Sequence, residues 1–500
     1  MKHSIVILVY LFFSTTVFSL VDMRNANYSA SWTDLELPGS GYELKISRTY
    51  NSRSLHNGIF GFGWCSDIET KVDITPEGNL KVTECGAGQE TFYFPREFNR
   101  KEIDKTVSQI INAVRGQKKM DEKSIKSLEK DLAQDHELRA KYAFNFKIPV
   151  NVKEGTQFFA NGKEVENVVF AKGYYTRNFV DGSAQRFSKE GTLTHLYDKN
   201  GNFIKFEYDK DSLKEIADNN GRRLSFKFYS NKKVKTISGP NNTSVEYKYE
   251  NLDDLVYVKN AWTNVYTYNY DDLHNLTKAT WPSVKPGEAS TSVTLTYDKK
   301  NDWVTSFVDR AGCKEDYAYE DSPTDPKNHY WSIVKKTCGK EVVTDSKYEF
   351  WHKTRPDGEN YLYRVGSVIN GNATEVTYHE TFGKPVSIRK NGEVFNFEYF
   401  ANGQVKTKIS RIAKFSYEYS KENNKVAVVT ATSTNEKGKS VKTIKTQFKY
   451  DNKGNLIWAS NTDGQLVEMS YDQKGRIASI KDQAKKFVKI QYDEKTGRPG

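Results

Sequence analysis

Tyr450-Asp451-Asn452-Lys453-Gly454-Asn455-Leu456 is followed by Tyr471-Asp472-Gln473-Lys474-Gly475-Arg476-Ile477, and then by Tyr492-Asp493 with Gly497-Arg498. The tyrosines stand 21 residues apart (450, 471, 492), an interval that Tyr378 and Tyr399 share. A fixed period of this length marks a repeat architecture. Seven Tyr-Asp dipeptides occur in the chain, against about two expected from composition alone. Asp at the first position of a type I turn accepts hydrogen bonds from the turn backbone, and Gly three residues on supplies a positive φ. Asp451 to Gly454, Asp472 to Gly475 and Asp198 to Gly201 have this spacing. Such turns connect hairpins.

The flanks read as strands. Val467, Met469 and Tyr471 alternate with Leu466, Glu468 and Ser470, and Val488, Ile490 and Tyr492 alternate with Phe487, Lys489 and Gln491. Period two with one apolar, Tyr-rich face is a half-buried strand. Each unit is then one β-hairpin that must stack on its neighbours to bury that face.

The phrase Tyr-Asp-x-x-Gly-[Asn/Arg]-[Leu/Ile] resembles the YD repeat of Rhs-type proteins. Residues 35–41 (Leu-Glu-Leu-Pro-Gly-Ser-Gly), Arg48-Thr49-Tyr50-Asn51-Ser52-Arg53 and Phe60-Gly61-Phe62-Gly63-Trp64 resemble the segment that opens many of them. The resemblance covers roughly residues 33–94 and 155–500 and is weakest between about 230 and 370. It implies a mainly β fold: an antiparallel ribbon of YD repeats curling into a hollow, incomplete shell, which in the family often encloses a toxic C-terminal domain. Toxin-bearing members end their shell with an Asp-Pro-x-Gly segment where self-cleavage occurs. This sequence contains no such segment, so neither self-cleavage nor toxin activity carries over.

Composition agrees with a thin sheet. The hydrophobic fraction is 37%, lean for a solid core, while 13% aromatic residues argue against disorder. Residues 1–19 read as a secretory signal peptide, with Lys2 and His3 before an apolar run and Val17-Phe18-Ser19 as the cleavage site. The mature chain would begin near Leu20, and the protein would be secreted or lie at the surface of a bacterial envelope. Residues 20–98 are expected to form a β-rich cap against one end of the shell, and 143–500 the repeat sheet. Between them, 99–142 follow helical spacing: Ile103, Val107, Ile110, Ile111 and Val114 with Gly116 as a stop, then Ile125, Leu128 and Leu132 in a second helix after Ser124. This reads as an inserted helical hairpin, with strands resuming at Phe144.

Four cysteines in an exported chain suggest two disulfides. Cys313 and Cys338 are nearly symmetric about a turn-rich stretch centred on Asp325, and Cys65 and Cys85 flank a turn at Pro76-Glu77-Gly78. No metal-ligand spacing accompanies them. The histidines lie apart, no nucleophile elbow or phosphate loop occurs, and nothing selects a carboxylate pair. The sequence therefore predicts a non-enzymatic scaffold with no catalytic, metal or cofactor residues. Net charge is +11, but the lysines are scattered as on solvated faces, so specific nucleic-acid binding is not expected. The partners that fit are a polypeptide cargo, a cell-surface glycan, or a second copy joined through an open sheet edge. The shell part of an Rhs-type toxin and a carbohydrate-binding or carbohydrate-active surface protein are the alternative functions.

Overall fold

The repeat turns that carry Asp-x-x-Gly are held by their own aspartate. Asp472 Oδ1 accepts from the backbone N–H groups of Lys474 and Arg476, both at 2.9 Å, and the Gly475 N–H donates to the Asp472 carbonyl at 3.0 Å. Gly475 has φ 81° and Gly454 φ 76°, the left-handed region that glycine enters without a steric cost. Asp451 makes the same bonds to Lys453 and Asn455, and Asp198 to Asn200 and Asn202.

Just before many of these turns the ladder slips by one residue. Register shifts fall between Lys449 and Tyr450, Ser470 and Tyr471, and Glu398 and Tyr399. A bulge re-aims the side chain that follows it. Here it carries each tyrosine hydroxyl to the carbonyl that opens the strand after the preceding turn. Tyr471 Oη donates to the Leu456 carbonyl at 2.9 Å, Tyr492 to Ile477 at 3.0 Å, Tyr450 to Val426 at 2.7 Å and Tyr208 to Leu193 at 2.9 Å. The repeat thus needs tyrosine for two reasons: the ring packs on the sheet, and the hydroxyl ties one unit to the next.

The computed structural model describes residues 20–500 apart from 38, 40, 85–88, 96–99, 149, 151, 161, 164, 251, 284–286, 356–359, 436–438, 494–496 and 500. The signal-peptide reading of 1–19 therefore lies outside the described residues. From Gln157–Phe159 to Phe487–Lys489 the strands form one 30-stranded sheet in which every strand pairs antiparallel with its neighbours in sequence. The first and last strands do not pair with each other, so the sheet is a ribbon rather than a barrel.

The ribbon winds past its own start. The turn at 198–202 meets the turns at 451–455 and 472–476: Asn455 Nδ2 donates to Asn200 Oδ1 at 3.0 Å, and Asn202 Nδ2 to the Lys474 carbonyl at 3.1 Å. Lys425 Nζ reaches the Asp181 carbonyl at 3.4 Å. Gly162 packs so closely on Thr381 that a Cβ would lie 2.6 Å from its carbonyl oxygen. One rim of the first winding thus sits on the opposite rim of the second. Side chains and turn tips make this seam, and no strand pairing crosses it among the described residues.

The N-terminal strands do not cap one end, as the sequence suggests. Asn27–Leu37 and Leu44–Asn51 cross the inside of the first winding from rim to rim. At one rim the Val304 N–H donates to the Ala26 carbonyl and the Val234 N–H to that of Ile59; at the other the Ala261 N–H donates to the Asp34 carbonyl. Trp32, Tyr50, Phe60 and Trp64 form a single core with Leu224, Tyr247, Tyr268, Leu276 and Phe307 of the ribbon. The expectation of a hollow from residue 155 onward is therefore corrected: the first winding has a packed interior because its strands present an apolar face that the N-terminal strands cover. The second winding differs. From Glu341 onward the buried residues among those described are Ser346, Phe350, Gly403, Thr407, Gly454 and Asn455. The chain exposes 29991 Å², where a compact protein of 57.4 kDa would expose about 19,000 Å².

The helical insertion is a three-helix bundle, not a hairpin: α1 (Arg100–Gln117), α2 (Glu122–Gln134) and α3 (His136–Asn145). Gly116 lies inside α1, whose end is marked by Lys118 at φ 51°. Asp121 caps α2 three residues before Ser124. The bundle has its own core, from Ile103 to Ala143. Phe144, read as the return to strand, belongs to α3 and is 84% exposed. α3 docks on the three-stranded sheet of Lys71–Ile74, Leu80–Glu84 and Gln89–Tyr93 through Arg139, whose Nε donates to Glu77 at 2.8 Å, and through His136 edge-on to Phe92.

Two substitutions test the repeat. Tyr471→Phe should cost about 1 kcal/mol, the worth of one hydrogen bond; an unchanged urea midpoint would show that the hydroxyl adds nothing. Gly475 and Gly464 have nearly equal φ (81° and 82°), but a Cβ at 475 would lie 2.0 Å from Asn200 Nδ2 while one at 464 meets nothing within 4 Å. Gly464→Ala should cost about 1 kcal/mol and Gly475→Ala more. The excess should shrink in an Asn200→Ala background; equal losses would remove the seam from the stability of the fold.

Candidate functional site

The inner face of the second winding follows from register alone, because directly paired residues share a face. Tyr330 pairs with Phe350, and its hydroxyl donates to the Arg24 carbonyl, which fixes this face as the one turned toward the N-terminal strands. Phe350 pairs with Val365, Val365 with Val376, Val376 with Ile388 and Ile388 with Phe395. Two residues on, Phe397 pairs with Lys408, Lys408 with Phe415, Phe415 with Ala431 and Ala431 with Ile444. Phe448, Ala459 and Val467 continue it, then Met469, Ile480 and Val488. The opposite face carries Asn396, Glu398, Ser416, Lys445, Ser460 and Glu468.

This lining continues the face that is buried in the first winding, where Leu224, Val234, Leu255 and Leu276 are fully covered. In the second winding Phe395, Phe415, Val429, Phe448 and Met469 are half-buried. Lys408 lies among the aromatic rings, its Nζ 5.6 Å from the centre of Phe395 and 5.8 Å from that of Phe397. The arrangement suits apolar contact with an occasional acidic group, since a cation over aromatic faces is held there weakly and stays available to an anion.

The cysteines and turn residues singled out from the sequence stand apart from this surface. Cys313 and Cys338 form a disulfide with Cα atoms 4.3 Å apart, joining the ends of Lys314–Asp321 and His329–Cys338. Those strands are where the ribbon leaves the N-terminal strands, since Ser332 Oγ still donates to the Met23 carbonyl at 2.6 Å. Cys65 is buried on its short strand Trp64–Cys65, and Cys85 lies outside the described residues, as does the expected Cys65–Cys85 bond with it. Tyr450, Asp451, Gly454, Tyr471, Asp472 and Gly475 occupy one rim. Tyr492 and Asp493 close a further turn there, with the Gly497 N–H donating to the Asp493 carbonyl at 2.8 Å.

No group of three metal-ligating residues occurs among the described residues. The histidines stay apart: His274 Nδ1 meets Asp254 at 2.9 Å on a rim, and His329 Nε2 meets Glu349 at 2.6 Å on the outer face. Two arginines are buried: Arg48, quoted above only within a family phrase, and Arg177, which the sequence reading did not single out. Arg48 donates to Asp34 through Nε and Nη2. Arg177 meets Glu84 at 2.9 Å and Glu166 at 2.8 Å, and donates to Tyr93 Oη at 2.8 Å. Their one signal in sequence is a charge at an apolar position of an alternating strand.

The model of a teneurin YD-shell matches residues 161–294, and a domain of unknown function (DUF6531) matches 19–92. Both matches fall where the sequence resembles Rhs-type YD-repeat proteins. Among curated proteins it is similar to the tRNA3(Ser)-specific nuclease WapA of Bacillus spizizenii and the tRNA nuclease WapA of Bacillus subtilis, 43% identical over 51 residues in each case. The match takes in 10% of this chain and only 2% of either relative's length. Among solved structures, the TcdB2-TccC3-TEV crystal structure aligns with a TM-score of 0.42 at 10% identity, over 95% of this chain and 27% of that one. The Tc holotoxin pore of Photorhabdus luminescens aligns at 0.41 and 10%, over 95% and 26%.

The turn carboxylates set an acid limit. Partial burial pushes Asp472 up, but the Arg476 and Lys474 N–H groups and the Arg476 guanidinium outweigh it and hold the carboxyl below its ordinary value. Asp451 is lowered in the same way, against burial, by Asn455 and Lys453. Their contribution is complete above the unfolded pKa of about 3.9 and is lost as pH falls through the lower folded value. The melting temperature should drop below about pH 4, and less steeply in Asp451→Asn/Asp472→Asn protein. Equal acid slopes would show that these turns do not govern the loss.

Proposed function

We propose that this protein is an exported, non-enzymatic scaffold whose second winding holds a polypeptide against its apolar lining. One observation carries the reading. The same inner face is covered in the first winding by the chain's own N-terminal strands, and in the second it runs uncovered from Val365 to Val488. A surface that already accepts Trp32, Tyr50 and Phe60 from extended chain suits other extended or unfolded chain by the same apolar contacts. The charged and apolar start of the sequence and the Cys313–Cys338 disulfide support export into an oxidising compartment. The nuclease relatives favour a toxin-related shell as a second reading, in which the held polypeptide would be an effector. The shared 51 residues bring no nuclease activity to this chain.

A permanently unfolded polypeptide such as reduced, carboxymethylated lactalbumin tests the scaffold. It should bind the purified protein and become resistant to protease. Phe395→Glu/Phe415→Glu protein should lose that protection while keeping its own melting temperature within a few degrees. Protection that survives the double substitution, or none in the parent, would reject the lining as the binding surface.

A further inference from the structure

On the outer face of the ribbon, soon after the disulfide, a single glycine opens a cleft in the sheet surface. Direct pairing sets Trp331, Glu349, Gly366, Glu375 and Arg389 in one row across successive strands. Alternation puts that row on the face opposite Phe350. Gly366 leaves the middle of the row unfilled, and a cavity of about 380 Å³ lies over it, within the range of about 300–1,000 Å³ usual for small-ligand sites. The Trp351 indole leans across the glycine: a Cβ at 366 would lie 3.4 Å from its Cζ3 and 3.5 Å from its Cη2. Lys347, Glu349, Trp351, Val368, Glu375 and Arg389 line the space.

The lining is fixed by its neighbours. Trp351 has the His329 ring stacked on it from one adjacent strand, at 4.9 Å, and the Arg364 guanidinium from the other, 3.8 Å from its ring centre. Each of these partners also holds a carboxylate: His329 Nε2 meets Glu349 Oε1 at 2.6 Å, and Arg364 Nη1 donates to Glu375 Oε2 at 3.3 Å. Each glutamate is thus held through one oxygen. Glu349 Oε2 and Glu375 Oε1 take no hydrogen bond among the described residues. A cation stands next to each of them, Lys347 beside Glu349 on the same strand face and Arg389 directly opposite Glu375. Neither cation makes a salt bridge among the described residues, and Lys347 Nζ lies 4.5 Å from the centre of Trp331. The charged lining residues are two carboxylates and two cations, so an ion of neither sign is favoured.

A neutral ligand rich in hydroxyls suits such a cleft. A hydroxyl donates to a carboxylate and accepts from an ammonium or guanidinium, so hydroxyls on neighbouring carbons can meet a glutamate and its adjacent cation together. Side chains already held lose little freedom when they bind. We propose that this cleft binds a neutral oligosaccharide, with Glu349 and Lys347 taking hydroxyls on one side, Glu375 and Arg389 on the other, and the Trp351 ring edge and Val368 against its C–H surface. The site lies on the wall opposite the apolar lining, so holding a polypeptide and attaching to a glycan use separate faces of one sheet.

Calorimetry of the full chain with hexasaccharides of α- and β-linked glucose, mannose, xylose and N-acetylglucosamine decides the matter. Hexamers of galacturonic acid and of glucosamine serve as the anionic and cationic controls, and the dipeptide alanyl-alanine as the zwitterionic one. A neutral hexasaccharide should bind saturably at a single site, tighter than every control by about tenfold or more. Gly366→Val, which fills the floor, should weaken that binding by about tenfold or more. Glu349→Gln/Glu375→Gln protein should lose a similar factor while melting within a few degrees of the parent, which keeps the test valid if the valine variant does not fold. Glu468→Gln, on the same outer face but away from the cleft, should change nothing. Three results would overturn the proposal: no neutral hexasaccharide in the set binds, a control binds as tightly, or the affinity survives both cleft variants or falls equally in Glu468→Gln.

Discussion

A ribbon one sheet thick cannot bury its own inner face, and in the first winding the buried Arg48–Asp34 pair settles how that face is covered. Both side chains are fully removed from solvent. The Tyr247 hydroxyl donates to Asp34 at 2.8 Å, Arg48 Nη2 reaches the Tyr268 oxygen at 3.2 Å, and the guanidinium lies 4.5 Å from the ring centre of Trp64. Burial works against the charged arginine, but Asp34 and the two tyrosines more than compensate and keep it protonated. Removing one member of such a pair strands a charge at a cost of about 3–5 kcal/mol, whereas replacing the whole pair by apolar groups is often neutral. Its role is one of position. Arg48 and Asp34 belong to the N-terminal strands and Tyr247 and Tyr268 to the ribbon, so only one placement of one inside the other satisfies all four.

The two windings then follow different physics. In the first, apolar surface is removed from water on the scale of an ordinary domain core, and Tyr50, Tyr247 and Tyr268 are buried deeply enough that their phenols are pushed well up. In the second, stability has to come from the sheet itself: backbone ladders, aspartate-held turns, and the hydroxyl ties from Tyr399, Tyr419, Tyr450, Tyr471 and Tyr492. The repeat phrase is cleanest in sequence from residue 450 onward, but the hydroxyl tie itself recurs in the first winding too, at Tyr208, Tyr270, Tyr297 and Tyr319.

This division explains what could be read from the chain. The turns were legible because the chemistry of Asp451 and Gly454 is local and recurs at a fixed interval. The Cys313–Cys338 bond was legible because both cysteines flank one hairpin. α3 was missed because its covered side includes Arg139, which breaks the apolar stripe that revealed α1 and α2. The placement of the N-terminal strands was illegible because it depends on partners such as Arg48 and Tyr268, 220 residues apart, and nothing local to either names the other. The lining of the second winding was visible as alternation, but its lack of cover is a fact about the whole winding.

Spatial order identical to sequence order has a mechanical corollary. Each strand beyond Cys338 is held mainly by its two neighbours, so tension applied from the C-terminal side loads one ladder at a time instead of shearing many together. The second winding should peel in steps of one hairpin, each releasing its own turn and ladder, at forces set by a single unit rather than by the length of the ribbon. Peeling halts at the Cys313–Cys338 bond, where the backbone is covalently closed and the N-terminal strands begin to grip. The molecule is thus a compliant coil attached to a stiff base, and the disulfide marks the boundary between them.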